Sequence, residues 1–291
     1  MEENMKNKTI RLLLPQWQGG NNSDYYFGAE LLAHIVPQSK ESALIRVPVN
    51  TDLAQELSIE HGVEGEGQLL AQLEATTKIL EEESPDKIIV LGGDCSISQA
   101  PFDYLNGKYD GKLGVLWLDA HPDVATIEDS TRDHEMVLGN LLGHGAPQFS
   151  DKVKNIIKPD NVFFAGLIYD ELRSKDQDVN RLNLRYAVPD QLKKDSQPIL
   201  DWLKENQIEH IAVHFDLDVL SPQDFRSIYP AEPYLEEFGA AIGELTLKEV
   251  TRILTDISKQ ADIVGLSIAE HLPWDAMNLR AALAQLPLFN D

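Results

Sequence analysis

The sequence predicts an α/β protein built on a mainly parallel sheet with helices on both faces. Short apolar runs alternate with longer amphipathic segments, and such strand–helix alternation is typical of parallel sheets. The apolar runs are also nearly continuous, which is expected of strands that are covered on both faces. Because no segment has the composition of a linker, we expect residues 1–291 to form a single domain.

The individual elements follow from the spacing of apolar residues. Strands are predicted at residues 9–14, 43–49, 87–91, 113–118, 161–165, 208–215 and 261–267. Helices are predicted at residues 68–82, 96–104, 134–142, 190–205, 246–259 and 274–284. The first of these helices places Leu69, Leu73 and Leu80 on one face. Thr246 and Glu249 have the spacing of a capping box, which marks the start of the helix predicted at 246–259.

Composition excludes several classes of protein. The chain has 48 acidic and 25 basic residues and a formal charge of −23, so a nucleic acid or an anionic membrane surface would be repelled. The single cysteine, Cys95, excludes an intrachain disulfide. We find neither the apolar core of a signal peptide nor a run of roughly 18 apolar residues. We therefore expect a cytoplasmic protein that binds neither nucleic acid nor membrane.

Acidic residues follow directly after several predicted strands. Asp119, His121 and Asp123 come after one strand, and Asp216 and Asp218 come at the end of another. Residues two apart in an extended chain point to the same side. The carboxyl ends of parallel strands are also where ligands bind in such sheets. These side chains are therefore expected to converge.

Glu270 follows the last predicted strand and brings the expected number of carboxylates at this edge to five. Like charges so close together cannot all stay ionised without compensation, and these motifs contain no Lys or Arg. A site of oxygen ligands with one or two imidazoles suits Mn²⁺. Taken by itself, an Asp at the end of a strand is usually a turn residue or a helix cap. Taken by itself, His121 would be a hydrogen-bonded histidine of the core. The presence of both acidic patterns favours a metal site.

Four segments carry a resemblance to a known family. They are GGDCS at residues 92–96, DAHPD at 119–123, FDLDVLSP at 215–222 and GLSIAE at 265–270. In order and spacing they resemble the motifs of the arginase/agmatinase/formimidoylglutamase (ureohydrolase) family. The resemblance covers about residues 90–272, and it is specific for the family but not for one substrate.

The resemblance implies an arginase-like, three-layer α/β/α fold with a centre of two Mn²⁺ ions. It assigns the metal ligands Asp119, His121, Asp123, Asp216 and Asp218, of which Asp119 and Asp216 are shared by both ions. A metal-bridging hydroxide would hydrolyse a C–N bond of a small cationic guanidine or amidine. Glu270 matches the carboxylate that holds such a substrate. Family members are often trimers or hexamers, so the resemblance also implies a homo-oligomer.

A histidine is expected to protonate the leaving amine. His134 resembles the family histidine in its distance from His121, and it is predicted to open a helix. His144 lies in a segment that resembles another form of the motif and is kept in reserve. We prefer His134, although His144 remains open.

Cys95 stands where the family has a metal-binding histidine. A thiol is a poor ligand for Mn²⁺, so this metal site is expected to be weak, empty or filled by a different ion. Alternatively, Cys95 only packs behind the turn and His214, two residues before Asp216, compensates as a ligand or as a supporting partner. Asp94, beside Cys95, is a further supporting candidate.

The segments expected to select the substrate also depart from those of arginases. Residues 124–128 lack the Asn of the arginase loop, and residues 166–170 lack the arginase Arg-Asp pair. The leading hypothesis is therefore a metal-dependent hydrolase of linear guanidines or amidines, of arginase, agmatinase, formimidoylglutamase or guanidinobutyrase type. The alternative, which Cys95 supports, is a catalytically weak member that binds one metal or a ligand as a sensor or a structural protein.

Overall fold

The computed structural model of the chain describes residues 7–286 and 288. Within these residues the strands are β1 (Thr9–Leu14), β2 (Leu44–Arg46), β3 (Ile59–Glu60), β4 (Val63–Glu64), β5 (Lys87–Gly92), β6 (Gly114–Leu118), β7 (Val162–Ala165), β8 (Arg185–Ala187), β9 (His210–Asp216) and β10 (Asp262–Ala269). β3 and β4 form a small antiparallel hairpin. The others form one sheet in the order β2-β1-β5-β10-β9-β6-β7-β8. Every pairing in it is parallel, which confirms the predicted fold class.

Helices surround this sheet. They are α1 (Asp24–Ile35), α2 (Glu66–Glu83), α3 (Gln99–Lys108), α4 (Val137–Leu141), α5 (Pro147–Ser150), α6 (Asp178–Arg181), α7 (Pro189–Leu192), α8 (Gln197–Glu205), α9 (Leu247–Ile257) and α10 (Trp274–Ala284). Among the described residues, none of the helices has the length and apolarity that crossing a membrane requires.

The side chains of β6 divide the apolar core into two layers. Val115 and Trp117 belong to the core on one face, and Leu116 and Leu118 belong to the core on the other. All four are fully buried, as the period of two along a strand requires when both faces are covered. Helices α2, α3 and α4 supply buried residues to the first layer, and α8 and α9 supply them to the second.

Two differences from the prediction have local causes. The helix predicted at 190–205 is two helices, α7 and α8. The Asp195 carboxylate accepts a hydrogen bond from the Gln197 amide at 2.8 Å, and Pro198 has no amide hydrogen to continue an incoming helix. The helices predicted at 96–104 and 134–142 both begin with a tighter 3₁₀ turn, Cys95–Ser98 and Asp133–Met136.

Six elements escaped the prediction: α1, α5, α6, β3, β4 and β8. The α1 segment begins with the aromatic run Tyr25, Tyr26 and Phe27, which has no helical periodicity of its own. Gly28 in its middle is required by packing, because a Cβ there would lie 1.6 Å from the His271 carbonyl oxygen. The capping box at the start of α9 is confirmed, since Thr246 Oγ1 accepts from the Glu249 amide at 3.2 Å.

The strand order decides where the acidic motifs meet. β5, β10, β9 and β6 are consecutive neighbours in the sheet, and these are the strands that the four motifs follow. Because all four strands run in the same direction, the motifs emerge together at one edge. At that edge Gly93 crosses the end of β1, and a Cβ on it would lie 1.5 Å from the Gln16 carbonyl oxygen. The Gly93 carbonyl in turn accepts a hydrogen bond from the Glu270 amide at 2.7 Å.

Replacing Gly93 with alanine should lower the free energy of unfolding by about 3 kcal/mol, because the added methyl group displaces the backbone at this crossing. Urea unfolding with an unchanged denaturant slope measures the effect. Gly239→Ala is the matched control, since a Cβ there meets nothing within 4 Å, and its change should stay below about 0.5 kcal/mol. Equal unfolding midpoints for the two variants would contradict the steric requirement.

Candidate metal centre

A cavity of about 590 Å³ opens at the carboxyl edge of the sheet. Its lining contains most of the site residues that the sequence predicts, namely Cys95, His121, Asp123, His134, Asp216, Asp218 and Glu270. Asp119 lies just behind them, 1% exposed. The predicted residues are therefore brought together, with His144 outside the group.

His121 joins the two acidic motifs. Its Nδ1 atom lies 3.4 Å from Asp119 Oδ1 and 3.2 Å from Asp218 Oδ2. The His121 amide also donates to Asp119 Oδ1 at 2.6 Å, and the Trp117 indole donates to Asp119 Oδ2 at 3.1 Å. The loop after β6 thus curls around the Asp119 carboxylate and directs the imidazole toward the end of β9.

Asp216 ends β9 and caps the 3₁₀ turn Leu217–Val219, where the Asp218 amide donates to Asp216 Oδ1 at 2.8 Å. The Cys95 thiol approaches the same carboxylate from the other side and donates to Asp216 Oδ2 at 2.8 Å. Cys95 Sγ also lies 3.4 Å from Glu270 Oε1. The cysteine is therefore in contact with the acidic group and does not pack behind the turn.

Asp123 adopts a left-handed backbone conformation with φ of 50°. Its carbonyl oxygen accepts hydrogen bonds from the amides of Leu138 and Gly139, both at 3.1 Å, so the start of α4 holds this turn in place. The strained conformation is stabilised by these contacts, while the carboxylate stays 5% exposed.

Several sets of three or four ligand atoms lie within 4.8 Å of one another. Among the described residues the sets are Cys95 with Asp119, Asp123 and His214; Cys95 with His134 and Glu270; Asp119 with His121 and Asp218; and Asp216 with Asp218 and Glu270. Ligand atoms that share one ion at about 2.1 Å lie roughly 3–4 Å apart. The 4.8 Å limit is wider than this separation, so small side-chain shifts would bring the atoms of each set to ligand distance from one ion.

Unpaired polar atoms provide an independent test of whether a cation fits. Buried side-chain atoms without a hydrogen-bond partner within the described chain include Asp123 Oδ2, Asp218 Oδ1 and the Nε2 atoms of His121 and His214. Leaving such an atom unpaired costs about 1–3 kcal/mol. Oxygen and imidazole nitrogen are the ligand types that Mn²⁺ accepts, so these residues fit a divalent cation.

Burial and mutual repulsion raise the pKa values of three of the aspartates. Burial opposes ionisation of Asp218 too, but the His121 charge outweighs it and lowers the pKa of Asp218. Burial, together with the Asp218 charge, raises the pKa of Asp119 to about 6 even though His121 opposes the shift. Burial and the neighbouring carboxylates also raise the pKa values of Asp123 and Asp216. Burial lowers the pKa of His214 to about 3, so its imidazole is neutral near pH 7. The His121 charge offsets only part of this repulsion, and the neutral His214 imidazole has a lone pair to offer.

Glu270 and His134 form a hydrogen-bonded pair in the cavity. The positive φ of Glu270, 60°, turns its side chain off the end of β10, and Glu270 Oε1 lies 2.9 Å from His134 Nδ1. Burial opposes a charged His134, but the contact with Glu270 outweighs it and raises the pKa of His134. Tyr25 packs against the same carboxylate, and burial together with the Glu270 charge raises the pKa of Tyr25.

The two reserve residues take different places. His144 is exposed and does not line the cavity; its amide donates to the Gly139 carbonyl at 2.8 Å. Asp94 is fully buried and supports the turn before Cys95. Its carboxylate accepts hydrogen bonds from the amide of Gly19 at 2.8 Å and from the amide of Ser96 at 3.1 Å.

Sequence reasoning missed a group of charged residues in the cavity wall. Lys175 Nζ lies 2.5 Å from Glu135 Oε1, and Arg173 lies 3.5 Å from the same oxygen. Burial opposes ionisation of Glu135, but His134 and Lys175 outweigh it and lower the pKa of Glu135 to about 2. No motif marks Arg173 or Lys175, because they enter from the segment after β7. Tyr25 was seen only as part of an aromatic patch.

The chain is similar to proteins whose activity is known. A model of the arginase family matches residues 46–286. An arginase of Staphylococcus aureus strain COL is 29% identical over 141 residues, which is 46% of this chain and 46% of that protein. Arginase 1, mitochondrial, of Arabidopsis thaliana is 27% identical over 211 residues, covering 71% of this chain and 54% of that protein. The match thus spans about half the length of these curated relatives.

Solved structures share the fold. The arginase of Entamoeba histolytica, in complex with L-ornithine, superposes with a TM-score of 0.76 at 18% identity and covers 92% of this chain and 93% of its own. A putative agmatinase of Clostridium difficile superposes with a TM-score of 0.61 at 16% identity, covering 96% and 93%. The fold, the order of the acidic motifs and the family match over most of the chain agree. This protein belongs to the arginase family.

Proposed function

We propose that this protein is a metal-dependent hydrolase that cleaves a C–N bond of a small linear guanidine or amidine. The observation that carries the proposal is the convergence of four buried aspartates and His121 at the end of a cavity that Glu270 also lines. Membership of the arginase family supports it.

The metal would be held by buried side chains whose negative charge His121 offsets only in part. Asp119, His121 and Asp218 would hold one ion, and Asp119 and Asp123 would contribute to the other. The family resemblance adds Asp216 to the ligands. When bound, a pair of divalent ions supplies hydroxide from water near neutral pH. We propose Mn²⁺ because oxygen ligands predominate.

Glu270 has the chemistry needed to orient the substrate. A carboxylate accepts two N–H groups of a planar guanidinium or amidinium at once, and the charge assists both hydrogen bonds. Glu270 is 5% exposed, so the interaction would be formed away from bulk water. The neighbouring acids also favour a cationic ligand in this part of the cavity.

His134 is placed to donate a proton to the leaving amine. Its ring lies against Glu270 at 2.9 Å and lines the cavity, with the side chain 18% exposed. A substrate held by Glu270 would therefore lie next to this imidazole. The nearby Glu135 and Glu270 charges favour the protonated ring that donation requires.

The substrate within this class stays open between arginase, agmatinase, formimidoylglutamase and related types. Arg173 and Lys175 lie in the cavity wall, but Glu135 and Asp176 offset part of their charge. The cytoplasmic location and the homo-oligomeric state expected from the sequence also stay predictions. A second function, a catalytically weak member that binds one metal, is favoured by Cys95 in place of the family histidine.

One experiment distinguishes the hydrolase from the catalytically weak binding protein. Protein stripped of metal and reloaded with Mn²⁺ is assayed for urea and ammonia release across a panel of linear guanidines and amidines, with metal content measured on the same samples. The hydrolase should release product from at least one compound only when loaded. Loaded protein that releases nothing from the whole panel would support the weak binding protein instead.

Replacing His134 with alanine should reduce turnover by about 10²–10⁴-fold, because the leaving amine loses its proton donor. The metal content should stay at the unmodified level, since His134 is not among the proposed ligands. His144→Ala is the companion variant and should keep its turnover. If His144→Ala abolishes activity while His134→Ala does not, the proton donor has been assigned to the wrong histidine.

Replacing Glu270 with glutamine should raise KM by roughly 10- to 100-fold, because one charge-assisted interaction with the substrate is lost. Steady-state kinetics on the best substrate of the panel measures this. Glu244→Gln removes an exposed carboxylate that pairs with Lys193 and should leave KM unchanged. An unchanged KM in Glu270→Gln, at full metal content, would argue against Glu270 as the substrate carboxylate.

A further inference from the structure

The side chain of His214 is held rigidly beside the acidic group. It lies on β9, is 0% exposed, and stacks on Trp117 with ring centroids 3.8 Å apart and planes inclined by 13°. The same Trp117 donates to Asp119 Oδ2 at 3.1 Å. The indole therefore holds both the imidazole and the carboxylate that the imidazole approaches.

Two serines set the orientation of this ring. Ser98 Oγ lies 2.8 Å from His214 Nδ1 and 2.6 Å from Ser267 Oγ. With the proton on Nδ1, the ring donates to Ser98 and Ser98 donates to Ser267, which leaves the lone pair on Nε2. A hydrogen bond from the second nitrogen is the usual means of orienting a metal-binding histidine.

The Nε2 atom faces the acids without a partner. It lies 3.9 Å from Asp119 Oδ2, too far for a hydrogen bond, and no other group of the described chain satisfies it. One ring nitrogen of His214 lies within 4.8 Å of one oxygen of Asp119, one oxygen of Asp123 and the Cys95 sulfur. Asp123 Oδ2 is likewise unpaired, so a cation between them would satisfy two orphaned atoms.

The Cys95 thiol already has a role as a donor. It donates to Asp216 Oδ2 at 2.8 Å, and a neutral thiol is a poor ligand for a hard ion such as Mn²⁺. An imidazole is a better ligand, and the neighbouring strand provides one at this point.

We propose that His214 Nε2 supplies the imidazole ligand of the metal site that contains Asp119 and Asp123, and that Cys95 stays a thiol bonded to Asp216. In the family the imidazole ligand comes from the turn after β5, where this chain has Cys95. Here it would come from β9. The inference rests on the proposed metal centre and identifies which residue completes it.

Metal counting on variants tests the assignment. Manganese binding is followed by titration calorimetry and elemental analysis on the full chain stripped of metal. The unmodified protein should bind two ions, and His214→Asn should weaken one event by about 100-fold while the other, held by His121 and Asp218, is unchanged. Cys95→Ser should keep both affinities within about threefold. His210→Asn, which removes a histidine stacked on Tyr109 at the other end of β9, is the matched control.

The opposite pattern would overturn the inference. If His214→Asn keeps both ions at full affinity while Cys95→Ser loses one, sulfur is the ligand. If the unmodified protein binds no manganese at all, the proposed metal centre itself fails, which is a different result. Adding Cys95→His to His214→Asn should restore the lost ion, because the imidazole returns through the other position.

Cobalt loading provides a test that needs no variant at position 214. Cobalt(II) bound by a thiolate has a strong near-ultraviolet charge-transfer band, and the unmodified protein should lack it. The presence of the band, lost in Cys95→Ser, would overturn the inference. Ser98→Ala should weaken the same metal event by about 10-fold or more through loss of the Nδ1 partner, and an unchanged affinity there would count against His214 as the ligand.

Discussion

The main physical constraint on this structure is the repulsion among carboxylates that are buried together at one edge of the sheet. Asp119, Asp123, Asp216 and Glu270 are each no more than 5% exposed, and burial with mutual charge raises the pKa values of the three aspartates. Folding without a counter-charge would cost several kcal/mol per buried ion. A divalent cation removes this cost, which links the stability of this edge to the chemistry that we propose for it.

The surrounding backbone is arranged to keep these acids together. The close crossing at Gly93 anchors the Glu270 amide, and the start of α4 holds the left-handed turn at Asp123. Such conformations persist only where neighbouring contacts determine them. The same contacts limit how far the carboxylates can separate, so the site is preorganised before any ion or substrate arrives.

The cavity wall distributes charge unevenly. The acids lie deep, whereas Arg173 and Lys175 lie in the wall around Glu135. A cationic guanidinium is therefore favoured at the deep end, where Glu270 and the proposed ions lie. If His214 is the ligand that we propose, the exchange of the family histidine for Cys95 still leaves an imidazole nitrogen beside Asp119 and Asp123.

The parallel α/β class and the acidic strand ends were predictable from the sequence because both depend on local spacing. Apolar runs mark strands that are covered on both faces, and the acids follow directly where two of those strands end. The 3₁₀ turn at Asp218 and the left-handed turn at Asp123 replace the extended chain that the prediction assumed. The spacing from Asp216 marked His214 as a candidate, but the approach of its Nε2 atom to Asp119 and the entry of Arg173 were decided by tertiary structure. Each depends on which strands are neighbours and on side chains packed from distant segments, and no local pattern records those distances.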